Sequence, residues 1–207
     1  MDGAVFLPNH DAAISAYVEG VVAGEITAGR YVRLACERHL RDLERAEAGG
    51  PYLWDASEAN FLCAWVEAMP HAKAEWAARG ETIRLEPWQA WYIGSLNGWR
   101  ERETGLRRFR TAYLEVARKN AKSTMAAAVA LYLLAADGEA GPDVYAAATK
   151  MKPARMVFDT GRVMARKLAA DPSSTFRRLG LRIEEHRIRS ADRAGEFSPL
   201  EAKALDG

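Results

Sequence analysis

Apolar positions along the first third of the chain recur at helical spacing. From Asp11, a suitable N-cap, Ile14, Tyr17, Val18, Val21 and Val22 fall on one face until Gly24. Thr27 can cap a second helix, with Val32, Cys36, Leu40 and Leu43 on one side and charged residues around it, stopped by Gly49-Gly50-Pro51. Ser57 opens a third with Phe61, Leu62, Trp65, Val66 and Met69. The pattern then changes. Asn97–Gly105 is polar and reads as an exposed turn, followed by Arg107, Arg108 and Arg110. A solvated basic face is the ordinary reading of these arginines, and a track along a DNA backbone the functional one. Phe109–Val116 is a short β-prone run, and Met125–Leu134 is an Ala/Leu-rich helix. After a Gly/Pro-containing loop, Val144–Ala148 reads as a buried strand, and Thr149 caps a helix from about Pro153 to Leu168. Leu181–Arg189 alternates like a half-buried or edge strand. Strand, helix and strand in this order predict parallel pairing through a right-handed crossover.

Between the strand at Phe109–Val116 and the helix after it lies Ala117-Arg118-Lys119-Asn120-Ala121-Lys122-Ser123-Thr124. A strand, a tight basic turn ending in Lys-Ser-Thr, and a helix make the order of a phosphate-binding loop. In the pattern G-x-x-x-x-G-K-[ST] the two glycines correspond to Val116 and Ala121 here. Glycine is one way of letting backbone N–H groups converge on phosphate, and Asn120, which tolerates positive φ, is expected to let Asn120-Ala121 turn in its place. The remaining requirements are a lysine for the β/γ oxygens and a hydroxyl for magnesium, met by Lys122 and Ser123. The plainer alternative is a basic helix start with Lys122 solvated and Thr124 facing the previous turn.

Upstream stands Leu85-Glu86-Pro87-Trp88-Gln89. Pro87 suits the first position of a helix, and a glutamine amide can donate to and accept from adenine at once. By itself this is also an ordinary helix start with Trp88 in the core. Trp91 and Tyr92 add aromatic surface whose default role is packing.

Composition narrows the classes. With 207 residues, 49% of them apolar, the chain can bury a core, and a net charge of +1 leaves any DNA contact to a local patch. Cys36 and Cys63 lie in helical patterns without zinc-ligand spacing and read as buried free thiols of a reducing cytoplasm. His39 has no other histidine at ligand spacing and reads as a partly buried polar residue. The sequence has neither an apolar run of membrane-spanning length nor a basic start leading into a hydrophobic block, which argues against secretion or a membrane partner.

Three segments together, Leu85–Gln89, Glu115–Thr124 and Val144–Lys150, resemble the ATPase domain of tailed-phage and prophage terminase large subunits. Ala28-Gly29-Arg30 and Ala35–Leu43 extend the resemblance into a helical leader. It implies an α/β fold with a P-loop NTPase-type parallel sheet core in residues 81–207 behind a leader in residues 1–80. It further implies ATP and Mg2+ as cofactors, a host-cytoplasmic motor that drives double-stranded DNA into a procapsid, assembly as a homo-oligomer, and a terminase small subunit and portal as partners. The implied site comprises Lys122 on the β/γ phosphates, Ser123 on magnesium, Gln89 on adenine and Arg118 at the γ-phosphate, with Lys119, Asn120, Ala121 and Thr124 completing the loop. A helicase-like ATPase and a non-catalytic nucleotide- or partner-binding adaptor are the alternatives. No apolar run closed by Asp-Glu occurs before Gly207. The resemblance therefore reads the chain as cut short before the strand that carries the catalytic carboxylates and before the nuclease domain, and as inactive alone.

Overall fold

The computed structural model describes residues 9–172 and 174–202. In chain order the elements are α1 (His10–Ala23), α2 (Arg30–Glu47), β1 (Tyr52–Trp54), α3 (Ala56–Ala68), α4 (Ala74–Ala78), α5 (Pro87–Gly98) and β2 (Trp99–Glu101). Then follow α6 (Lys122–Ala135), β3 (Asp143–Ala148), α7 (Met151–Ala170), β4 (Leu181–Ile183), β5 (Ile188–Ser190) and β6 (Gly195–Glu201). Internal contacts sort the chain into two compact units. One takes residues up to Ala64 together with Arg84–Leu114, and the other takes Trp65–Ile83 together with the residues from Glu115 onward.

The first unit supplies the helical N-terminal part of the fold. Asn9 caps α1 by accepting from Ala12 N–H, and Gly24 closes it in the left-handed conformation at φ 83°. Ile14, Val18 and Val21 are fully buried, together with Cys36, Ala59 and Cys63. Asp55 accepts from the N–H groups of Ser57 and Glu58 at 3.0 and 3.1 Å and so starts α3. α5 approaches α1 and α3 so closely that a Cβ on Gly94 would stand 2.5 Å from Ile14 Cδ1. The close approach requires glycine there.

Of the segment expected to be an exposed turn, Arg102–Gly105 stand in solvent as expected, but its start is interior. Asn97 and Trp99 are 0% and 1% exposed, and β2 pairs antiparallel with β1, Trp54 opposite Trp99. Aromatic area outweighs the surrounding polarity. Trp54 and Trp99 meet edge to face at 5.5 Å, and His39 packs against both. Arg108, expected on a solvated basic face, instead pairs with buried Asp42 at 2.8 Å and lies over the Tyr52 ring at 4.3 Å.

Trp99 Nε1 donates to His39 Nδ1 at 3.1 Å, which fixes the neutral imidazole with its proton on Nε2. Burial, aided by the Arg38 charge, pushes His39 down to about 4. Since the folded value lies below the unfolded one, the unfolded chain binds more protons between about pH 6.5 and 4, and stability falls as pH drops through that window. A loss of about 3 kcal/mol is expected from this residue across the window. Denaturant midpoints at neutral and mildly acidic pH measure it. A His39→Gln variant that loses as much stability on acidification as the native chain contradicts the assignment.

The second unit holds the α/β core. Its four strands run in the order β3-β6-β5-β4, with β3 and β6 parallel and the other two pairings antiparallel, so the sheet is mixed. Phe197 of β6 meets Phe158 of α7 edge to face at 5.3 Å, and both are fully buried. A Cβ on Gly161 would stand 3.1 Å from the Phe197 ring and 3.7 Å from Ala127 of α6. Small residues at the helix crossing thus let α6 and α7 lie against one face of the sheet. Trp65 Nε1 donates to Ala128 O at 3.0 Å, and its ring packs against Tyr132 and Phe176.

Three local expectations change. No strand forms over residues 109–116: the ladder ends at β3, and without a place in it this run stays irregular, with Tyr113 82% exposed. The parallel partner of β3 is therefore β6, across α7 and the β4–β5 hairpin. The single strand expected over Leu181–Arg189 is that hairpin, turned where Glu184 N–H donates to Arg187 O at 2.9 Å. Finally, Val144–Ala148, expected as a buried strand, lies in β3 at the edge of the sheet, where exposed and half-buried residues alternate. Among the described residues no helix is long and apolar enough to cross a membrane.

Candidate functional site

The residues from Ala117 to Thr124 form one loop and helix start within the second unit. Its tight geometry rests on two left-handed residues, Lys119 at φ 70° and Ala121 at φ 56°. The pair expected to turn, Asn120-Ala121, is thus shifted, with Lys119 rather than Asn120 taking the other positive φ. Asn120 instead braces the loop across its own width, its Nδ2 donating to Ala117 O at 3.2 Å and Arg118 O at 3.4 Å. Lys122 Nζ donates to Val116 O and, at 3.0 Å, to Ala117 O.

The N-cap of α6 is Ala121, whose methyl offers no acceptor to the first-turn N–H groups. Ala121 O accepts from Met125 N–H at 2.9 Å and begins the helical ladder. A 14-residue helix with no side-chain cap presents N–H groups and the positive end of its dipole at the loop, where Lys122, Arg118 and Lys119 add three cations. Ser123 and Thr124 are half-buried in the first turn, while Arg118, Lys119, Asn120 and Ala121 are exposed. This donor set suits a polyphosphate: amides for bridging oxygens, an ammonium for terminal ones and a hydroxyl for a hard cation. Among the described residues no group of three or more His, Cys, Asp or Glu could hold a metal by itself.

Holding Ala121 in the left-handed region costs about 1–2 kcal/mol, against the roughly 0.5–1 kcal/mol that glycine loses in backbone entropy. Ala121→Gly is therefore expected to raise stability by about 1 kcal/mol, read from denaturant unfolding. An unchanged or lower midpoint would show that the loop does not carry this strain.

Gln89 belongs to the first unit. It is buried at the third position of α5 and its Oε1 accepts from Glu86 N–H at 2.9 Å, half of a capping box behind Pro87. This bond fixes the amide, leaving Nε2 as the donating end. Cys36 and Cys63 are buried free thiols, and burial beside Glu37 raises Cys36 to about 11.

Sequence reasoning passed over Glu201, an exposed carboxylate at the C-terminal end of β6. In open α/β sheets that end of a parallel strand is where ligands meet side chains. The alternation of Glu196, Phe197 and Ser198 was the available signal, masked by Pro199. Glu184 and Glu185, two further carboxylates of this half, lie at the β4–β5 turn, and a hydrogen bond from Arg187 holds the Glu184 carboxyl below its usual range. Asp206 lies outside the described residues.

No curated protein matches the chain. The HK97 bacteriophage large terminase, known from a crystal structure, is similar over 72% of this chain with a TM-score of 0.55 at 19% identity. At that identity the likeness speaks for the fold alone, and this chain spans only 28% of the length of that one. The family described as terminase large subunit, ATPase domain, matches residues 87–198, more than half of the chain and inclusive of α5, the loop, α6, α7 and most of the sheet. On that match, the chain belongs to the family of terminase large subunit ATPase domains.

Proposed function

We propose that this chain binds ATP with magnesium at Ala117–Thr124 and is the ATP-binding part of a motor that couples hydrolysis to translocation of double-stranded DNA. The observation that carries the reading is the uncapped start of α6 with Lys122 folded over its own loop. In this reading Lys122 leaves the carbonyls of Val116 and Ala117 for the β/γ oxygens, exchanging neutral acceptors for charged ones. Ser123 Oγ holds magnesium, which neutralises phosphate charge when bound. Arg118, exposed at the loop's edge, reaches the γ-phosphate, and Lys119, Asn120, Ala121 and Thr124 line the loop. Gln89 reads adenine through Nε2, its Oε1 being engaged by Glu86 N–H. Terminase small subunit, portal and further copies of the chain are the proposed partners, and the host cytoplasm the proposed place of action.

Titration calorimetry with ATP and GTP analogues in the presence of magnesium tests this. Saturable binding with a preference for adenine is expected, and absence of binding to both sinks the assignment. Gln89→Glu keeps an acceptor for Glu86 N–H but replaces the donating end, so it should lower the ATP-over-GTP preference by roughly tenfold, as the loss of one hydrogen bond of about 1–1.5 kcal/mol implies. A preference unchanged in Gln89→Glu would confine Gln89 to the capping box.

A further inference from the structure

We infer that the exposed face of α2 is a docking surface for the phosphate backbone of double-stranded DNA, bound without regard to base sequence. The duplex is the one named in the proposed function, on which this assignment rests for its occupant. Residues at i, i+4, i+8, i+11 and i+15 of a helix share one face, and in α2 they are Arg30, Leu34, Arg38, Arg41 and Arg45, with Tyr31 beside them. All six are exposed, Tyr31 at 82%. The four arginines span about 22 Å of helix axis at 1.5 Å per residue.

The four acidic side chains of α2 stand off this face. Glu37 and Glu44 lie along one margin, where Glu37 reaches Arg41 only at 4.0 Å, and Glu47 lies further round. Asp42, on the opposite margin, is buried and paired with Arg108 at 2.8 Å, nearer than Arg45 at 3.6 Å. Arg38 lies over the Phe109 ring at 4.9 Å, a contact that orders the guanidinium and leaves its charge in place. The face therefore keeps an excess of positive charge although the whole chain carries only +1. Local helix energetics run against this arrangement. Arg38, Arg41 and Arg45 are like charges three and four residues apart, which repel on a helix surface, and Arg30 opens a first turn without an acidic residue, where the helix dipole disfavours a cation. A row of anions along the helix relieves both. A duplex supplies it, with one phosphate charge per about 1.7 Å of its axis. Arginine forks meet phosphate oxygens in pairs, the Tyr31 hydroxyl can donate to another, and contacts confined to phosphate carry no sequence information.

Fluorescence anisotropy of a labelled duplex of roughly 20 base pairs, about two turns, titrated with the 207-residue chain at roughly 50 to 200 mM salt, tests this. No nucleotide is present, so the outcome is independent of whether Ala117–Thr124 binds ATP. Four phosphate contacts should make log affinity fall against log salt with a slope of about −3.6, roughly a hundredfold loss across that range. Arg41 and Arg45 are both more than half exposed, at 55% and 73%, and can be replaced without disturbing the core. Arg41→Gln and Arg45→Gln, each with unchanged circular dichroism, should each bring the slope nearer zero by about 0.9 and weaken binding about tenfold at the low-salt end. Arg84→Gln, which removes an exposed arginine outside α2, should change neither. Absence of binding at the lowest salt overturns the proposal. So do slopes and affinities that Arg41→Gln and Arg45→Gln leave alone, which would move the contact to other cations such as those of the loop, and so does a strong preference between two duplexes of unrelated sequence. Binding of poly-glutamate without binding of the duplex would assign the face to an acidic protein and overturn it as well.

Discussion

Replacing Lys122 by alanine is expected to lower affinity for a non-hydrolysable ATP analogue by about a hundredfold or more, with the fold retained. The ammonium makes charge-assisted bonds, which are individually worth about 1.5–3 kcal/mol, and two such bonds to the β/γ oxygens account for that loss. In the ligand-free loop the same ammonium is satisfied by Val116 O and Ala117 O, at the mouth of the loop and away from the buried side of α6. Removing it frees carbonyls that water can reach, so the cost in stability should stay near 1 kcal/mol. The two readouts therefore separate. Calorimetric titration of both proteins should show the large loss in affinity, and their thermal midpoints should lie within a few degrees. Equal affinities would remove the loop from the site. Loss of affinity with loss of fold would instead make Lys122 a structural brace.

The loop, its helix and the flanking strand Asp143–Ala148 were legible in the sequence because each has a local cause. An Ala/Leu run propagates a helix wherever it packs, and a Lys-Ser-Thr start after a basic turn carries its own chemistry. The strand expected over residues 109–116 was not legible in the same way, because a strand exists only where a neighbour gives it a ladder, and that is decided far along the chain. The hairpin of β4 and β5 hid for a related reason: Leu181 to Arg189 alternates throughout, and only the Glu184 to Arg187 bond shows where the alternation folds back. Trp99 and Arg108 misled because charge density near them, in Arg100-Glu101-Arg102-Glu103, suggests solvent. Their burial depends on partners more than forty residues away, His39, Asp42 and Tyr52. At the site, residue types were readable and backbone angles were not. The turn could be anticipated near Asn120, but the positive angles fall on Lys119 and Ala121 on either side of it.

Hydrolysis of ATP by residues 1–207 alone is expected to run little above background even with the nucleotide bound. Phosphoryl transfer is positioning and electrostatics, and it needs a carboxylate on the metal ion and a group that orients the attacking water. In the proposed reading the loop supplies Lys122 and Arg118 for the phosphates and Ser123 for magnesium, and none of the three orients water. Among the described residues the carboxylates of the sheet are poorly suited to the rest. Glu184 is paired with Arg187 at 2.7 Å at the hairpin turn, Glu196 is shared between Arg187 and Arg189, and Glu201 is exposed at the end of β6. None follows an apolar strand as an Asp-Glu pair, the arrangement that would place one carboxylate on the metal and the next on water. A polypeptide that continues into a further strand of that kind should gain hydrolysis by orders of magnitude, and a neighbouring subunit that inserts an arginine should raise it again. Phosphate release measured on both lengths of chain decides the matter. Steady turnover by the 207-residue chain that disappears in Lys122→Ala would show that the carboxylates are already present, and substitution of Glu201, Glu184 and Glu185 in turn would identify which of them serves.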